Sequence, residues 1–309
     1  MRIAFLGTPD FALPSLRALC DEGHELRVFT QPDRKKGRGC KCCMPPVKEL
    51  ALELGIPVEQ FEKIRSPEGV EALTRFSPQL MVTVAFGQIL SREILDIPTY
   101  GCINVHGSLL PEYRGASPIQ QAVLDGKKVT GVTTMMTDVG LDTGDILLAR
   151  ETPICENETS GELSDRLAVL GAQVLTETLR MLSKGELVRH KQDDSRATRC
   201  RTIKKEQGKI DFSRSAEEIH NLVRGMNPWP LAYGRLCGNT VKIHETALRP
   251  DMKTDAKPGT CIIASPKQGL FVATGDGVLE IKVLQCPSCK ALPAKAFLNS
   301  KNPLGECFS

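Results

Sequence analysis

The chain has 309 residues, 41% hydrophobic and 25% charged, the balance of an ordinary globular protein long enough for two domains. No run of 18 apolar residues occurs, which excludes a helix spanning a bilayer. Met1–Gly7 enters a strand-like run with no apolar h-region or cleavage site, so a cytoplasmic protein is expected, with its 12 cysteines mostly free thiols. The formal net charge of +3 conceals an asymmetry. Residues 1–183 carry 19 basic and 24 acidic side chains, residues 184–208 carry 8 and 4, and residues 209–309 carry 13 and 9. An acidic first part joined to a basic second part suits an anionic partner spanning both. A basic linker that simply stays solvated would give the same count.

Arg2–Leu6 is an apolar run that stops at Gly7-Thr8-Pro9-Asp10, and Phe11–Leu19 then has helical spacing with Asp10 as its N-cap. This is a strand–turn–helix opening, yet G-x-G-x-x-G and the Walker A pattern are both absent, which argues against NAD and nucleoside triphosphates. His24–Thr30 predicts a second strand. Gln31–Pro46 follows without periodicity, a loop whose length points to function or to mobility. It carries Arg34, Lys35, Lys36, Arg38 and Lys41 against the single acid Asp33, which fits a phosphate backbone. Val47–Leu54 and Pro67–Arg75 are helical, Leu80–Ala85 and Cys102–His106 are strands, Ile119–Leu124 is a short helix and Val129–Met136 a strand. This alternation predicts an α/β domain over residues 1–183: a Rossmann-like, mostly parallel sheet with helices on both faces, closed by a long amphipathic helix over Gly161–Leu182. Residues 184–208 read as a basic interdomain linker containing Arg201, Lys204 and Lys205. From 209 to 309 one helix, Ala216–Arg224, precedes Asn227-Pro228-Trp229-Pro230. Five short β-like runs then follow, Ala232–Leu236, Val241–Glu245, Thr260–Ala264, Leu270–Thr274 and Val278–Leu284, which predict a small OB-like β-barrel.

The chemistry concentrates at Cys102–His106. A strand repeats every two residues, so Asn104 and His106 share a face about 7 Å apart, just before Gly107 ends the strand. In an open α/β sheet that end is where ligands collect. A carboxamide can polarise a carbonyl and an imidazole can move protons, a pairing suited to acyl transfer. The same two residues could equally end a strand and bond their own loop. Asp142-Thr143-Gly144-Asp145 offers a carboxylate to orient the imidazole, or else is only an acidic turn. Cys40, Cys42 and Cys43, with Cys286-Pro287-Ser288-Cys289, lack the two spaced pairs of a structural zinc site, and no metal is expected. His24, His190, His220 and His244 read as ordinary residues, and Trp229 as a packing residue rather than a base-stacking platform.

Ile103-Asn104-Val105-His106-Gly107-Ser108-Leu109-Leu110-Pro111, with Tyr113-Arg114-Gly115 and Asp142-Thr143-Gly144-Asp145, resembles the signature of the formyltetrahydrofolate-dependent formyltransferases. Gly7–Ala12, Gln31–Arg34 with Gly37-Arg38-Gly39, Val84–Leu90 and the Asn227–Pro230 motif extend the likeness over nearly the whole chain, toward the branch that acts on tRNA. The resemblance implies an enzyme that passes a formyl group from 10-formyltetrahydrofolate to the α-amino group of initiator methionyl-tRNA through a tetrahedral intermediate. It implies Asn104 as oxyanion donor, His106 as general acid and base, and Asp142 as the group that sets His106. It implies folate contacts at Ser108, Leu109, Leu110 and Pro111, and at Phe86, Gly87, Gln88, Ile89 and Leu90. The loop 31–46 and the basic second part would meet the tRNA, through Arg34, Lys35, Lys36, Arg38 and Lys41 and through Arg201, Lys204 and Lys205. Cys40-Lys41-Cys42-Cys43 departs from the family's usual Lys and aliphatic residue after Gly-Arg-Gly, leaving fewer charges. A monomer with no membrane attachment is expected. A same-donor transferase or hydrolase with a small-molecule acceptor, and a non-catalytic RNA-binding relative, are the competing readings.

Overall fold

A computed structural model of the chain describes residues 1–36 and 41–309. The chain divides into two compact units. The first holds Met1–Pro118, Val129–Pro153 and Ser164–Cys200; the second holds Ile119–Lys128, Ile154–Leu163 and Arg201–Ser309.

The strands of the first unit are β1 (Arg2–Gly7), β2 (Glu25–Thr30), β3 (Arg34–Lys36), β4 (Lys41–Cys43), β5 (Val58–Gln60), β6 (Leu80–Val84), β7 (Cys102–His106), β8 (Arg114–Gly115), β9 (Val129–Met136), β10 (Ile146–Pro153) and β11 (Arg199–Cys200). Seven of them form one sheet in the order β10-β9-β7-β6-β1-β2-β5. From β5 to β7 neighbouring strands run parallel, while β9 runs antiparallel to both β7 and β10. The parallel part is buried on both faces, so its strands read as unbroken apolar runs. Ile3–Leu6 and Leu80–Val84 are buried throughout. Helices α1 (Leu13–Asp21), α2 (Pro46–Glu53), α3 (Pro67–Phe76) and α4 (Arg92–Leu95) connect the parallel strands. The Rossmann-like sheet of the sequence reading is present.

The second unit takes in residues of α5 (Pro118–Leu124) and α6 (Ser160–Lys184), then α7 (Ala216–Gly225), β12 (Ala232–Leu236), β13 (Asn239–Leu248), β14 (Cys261–Ser265), β15 (Gly269–Ala273), β16 (Val278–Gln285), β17 (Leu292–Pro293) and α8 (Ala294–Leu298). Its strands make an antiparallel sheet in the order β12-β13-β16-β15-β14, with β17 on β16. Helix α7 is amphipathic and starts with a capping box in which Ser215 and Glu218 bond each other's backbone N–H. Its buried face joins a core that includes Phe212 stacked on Phe308, ring centroids 5.1 Å apart.

Four local expectations differ from the structure. Asp10 does not cap α1: it lies inside a 3-10 turn, Asp10–Ala12, whose preceding residue is Pro9 and which has no side-chain cap. The described residues of Gln31–Pro46 are not without structure, because β3 and β4 pair antiparallel as Arg34↔Cys43, Lys35↔Cys42 and Lys36↔Lys41. β10 is unpredicted; it is an edge strand whose exposed and half-buried residues lack a clean alternation. The segment from 184 onward is no free linker either. His190 exchanges two backbone hydrogen bonds with Ile146 (2.8 and 2.9 Å), and β11 pairs parallel with β8, so this strap belongs to the first unit up to Cys200.

Candidate active site

Asn104 and His106 do share a face of β7. Thr83, directly opposite Asn104 on β6, donates its hydroxyl to Asn104 Oδ1 at 3.0 Å. The carboxamide oxygen is thereby engaged, and the Nδ2 hydrogens are the ones left to face a ligand. His106 is buried, and its Nε2 lies 3.0 Å from the Tyr113 carbonyl. A carbonyl only accepts, so Nε2 carries the hydrogen and Nδ1 is the nitrogen free to exchange a proton. Asp142 Oδ2 stands 3.8 Å from that Nδ1 and accepts the Gly115 N–H at 2.8 Å.

Asp142 comes from the loop between β9 and β10, which begins at the wrong level to meet His106 without folding back. Thr137 N bonds Cys102 O, four residues before His106 on the neighbouring strand, a rise of about 13 Å. The loop climbs that distance and turns at Asp142, whose φ is +54°. Gly144 makes the turn possible: a Cβ there would sit 1.8 Å from the Met136 carbonyl oxygen. The carbonyls of Asp142 and Gly144 both accept from Gln192 Nε2, at 2.9 and 2.7 Å.

The folate candidates behave unequally. Ser108 is buried and donates to Glu112 O at 2.7 Å, while its own carbonyl accepts from Thr133 Oγ1, which in turn accepts the Leu110 N–H. Leu110 and Pro111 are also buried, and Leu109 is left half-exposed. Phe86 and Leu90 do not line an open wall, because both point into the core cluster with Phe29, Ile64 and Ile94. Gln88 staples its loop to Phe61 O and Ile64 N. Gly87, at φ +78°, and Ile89 remain outward-facing. Ile89, Val139 and Leu141 are 73, 68 and 64% exposed, apolar side chains on the loops that follow the Thr83 and Met136 strands. Exposed apolar side chains on these two loops suit the face of a flat ring.

Of the basic candidates, Arg34 is exposed and pairs with Glu62 at 2.6 Å. Lys35, Lys36 and Lys41 have backbone in the β3–β4 hairpin, and Arg38 lies outside the described residues. Arg201, Lys204 and Lys205 are exposed at the start of the second unit. Trp229, read from the sequence as a packing residue, is 50% exposed. Sequence reasoning missed Thr83, hidden in an apolar strand, and Gln192 and Arg114, whose contacts join positions 50 to 80 residues apart.

The residue range 1–179 matches the formyl transferase family, and 202–302 matches the formyl transferase C-terminal domain. A methionyl-tRNA formyltransferase of Geotalea daltonii is 50% identical over 96% of this chain and 95% of its own. Those of Acetivibrio thermocellus and Ruminiclostridium cellulolyticum are 48 and 47% identical, covering 96 and 99% of both partners. Among solved structures, the sugar 3N-formyl transferase WlaRD superposes with a TM-score of 0.67 at 19% identity, over 94% of this chain and 99% of that one. HypX from Aquifex aeolicus, in complex with tetrahydrofolic acid, gives 0.64 at 17% identity over 96% of this chain, which spans about half (47%) of the HypX length. These two likenesses speak to the fold alone. Matched in both parts and nearly half identical to such relatives from end to end, the chain belongs to the formyl transferase family.

Proposed function

We propose that this protein transfers the formyl group of 10-formyltetrahydrofolate to the α-amino group of methionine on initiator tRNA. The observation that carries this reading is the meeting of Asn104, His106 and Asp142 in one site, in a chain alike over its whole length to methionyl-tRNA formyltransferases. The folate supplies the formyl carbon on a nitrogen leaving group. An α-amino group has an ordinary pKa of about 8 and is partly neutral near neutral pH, so it can attack without a covalent relay through the enzyme. Cys102 offers no such relay, because burial pushes its thiol up to about 11.

Asn104 Nδ2 donates to the formyl oxygen as that oxygen gains charge. His106 Nδ1 takes the proton shed by the attacking amine and returns it to the departing nitrogen, while Nε2 stays committed to Tyr113. Asp142 orients the ring and stabilises it while charged. Ile89, Leu109 and the backbone of 86–90 and 108–111 would hold the folate. Arg34, Lys35, Lys36, Arg38 and Lys41, with Arg201, Lys204 and Lys205, would meet the tRNA phosphates. All three reactive side chains come from one chain, so a monomer suffices, working in the cytoplasm where charged tRNA is used.

The test is incubation with formyl-labelled donor and charged initiator tRNA, with elongator methionyl-tRNA as control. Label on the initiator species is the expected result. Transfer to an amino-sugar nucleotide or glycinamide ribonucleotide, or release of formate, would replace this reading with the small-acceptor or hydrolase alternative. Binding of tRNA without transfer would make the protein a non-catalytic relative.

A further inference from the structure

Two groups in the first unit have no part in the chemistry yet converge on it. Arg114 is 4% exposed, and Gln192 sits on the strap that follows α6. Gln192 Nε2 donates to the carbonyls of Asp142 (2.9 Å) and Gly144 (2.7 Å), so one amide nitrogen spends both hydrogens on two residues of the same turn. Its Oε1 accepts from Arg114 Nε at 3.0 Å. A guanidinium has no acceptor atom, so Arg114 can meet only the amide oxygen, and this fixes which end of Gln192 faces the turn. Arg114 also donates to Asp194 Oδ1 at 2.7 Å, tying it a second time to the strap. The strap is pinned on either side, by His190 on Ile146 and by Thr198, whose N–H bonds Pro111 O and whose carbonyl accepts the Arg114 N–H. Gly115, the residue after Arg114, donates its N–H to the Asp142 carboxylate. Asp142 is thus held at both ends: its carboxylate by Gly115, its carbonyl by Arg114 acting through Gln192.

We propose that Gln192 is a positioning residue for formyl transfer, its amide holding the Asp142–Gly144 turn so that the carboxylate stays beside His106, with Arg114 orienting Gln192. The reason is geometric. Asp142 is in the left-handed region and reaches His106 only because its loop folds back from Met136. Two carbonyls that converge with no donor between them repel, and the turn would open. A shift of about 1 Å at a reacting group can cost about 10²-fold in rate without touching substrate binding. The inference rests on the reading of Asp142 as the partner of His106 in catalysis.

The experiment is steady-state formylation of initiator methionyl-tRNA by wild type, Gln192→Glu, Asp142→Asn, the double variant and Asn104→Ala. Glu keeps an oxygen for Arg114 and removes both donors to the turn. Gln192→Glu is expected to lose about 10- to 10²-fold in kcat, with KM for folate and for tRNA both within about 2-fold of wild type. In the Asp142→Asn background the same substitution should cost nothing further, because the residue acts through that carboxylate. A Gln192→Glu enzyme with wild-type kcat would overturn the inference. So would an equal loss in both backgrounds, which marks a brace for the fold rather than for Asp142. If Gln192→Glu does not fold, Gln192→Met has similar volume without either donor and carries the same expectations. A wild type that forms no formyl-methionyl-tRNA would fell the functional reading and this inference together. An active wild type with a damaged Asn104→Ala and an undamaged Gln192→Glu would fell this inference alone.

Discussion

A carboxamide can turn either its oxygen or its nitrogen toward a substrate, and at Asn104 Thr83 makes the choice. With Oδ1 accepting from the Thr83 hydroxyl, the donor end is left for the oxyanion of the proposed reaction. Asn104→Ala is therefore expected to lower kcat by about 10²–10³-fold with little change in KM for folate, measured by formylation kinetics. Turnover near the wild-type rate would show that another group holds the oxyanion. Asn104 and His106 could be placed together from the strand period alone, because two residues i and i+2 on a strand must share a face. Thr83 could not. It stands in Leu80–Val84 like any small residue of a buried strand, and its meaning appears only with the register that sets it opposite Asn104.

Among the elements, the loop from 137 to 145 carries Asp142 to its place beside His106. A Cβ added at Gly144 would press on the Met136 carbonyl oxygen, so Gly144→Ala should force Met136 or the turn to move. A loss of about 1–3 kcal/mol in stability is expected, together with a fall in kcat larger than any change in KM. Thermal unfolding and kinetics on one preparation check both. A variant with wild-type stability and kcat would mean the turn can shift without consequence. For the basic stretch Gln31–Pro46, Arg38→Ala should raise KM for tRNA far more than for folate. Equal effects on both would remove this stretch from RNA recognition. The sequence carried the residue types of both elements, but not their shapes. A basic stretch without periodicity hid a hairpin because three-residue strands leave too short a pattern to read. The strap 185–200 resembled a solvated linker because most of its side chains are exposed, while its backbone and the amide of Gln192 do the binding.

At the scale of the whole molecule, the chain forms two compact units, and the second carries a buried histidine of its own. In the second unit His220 donates from Nε2 to Glu156 O, and its Nδ1 lies 2.9 Å from Thr246 Oγ1, which donates to it while the ring is neutral. Burial holds its pKa below the ordinary 6.5. The unfolded chain then binds this proton more readily than the folded one, so the contribution to stability is complete above about pH 6.5 and shrinks as pH falls from there. Thermal unfolding of the second unit should shift to lower temperature below that point, and His220→Gln should flatten the slope. An unchanged slope in that variant would assign the pH response to other groups.

Trp229 gives that measurement an unusual clarity. It is the only tryptophan in 309 residues, it belongs to the second unit, and it is half open to solvent on a backbone whose carbonyl accepts from Gln120. The protein's indole emission therefore comes from a single site, reachable by a soluble quencher while the second unit is folded. That light follows the surroundings of one residue of the second unit, so circular dichroism recorded alongside it would tell whether the rest of the chain unfolds in the same step, without any label being introduced.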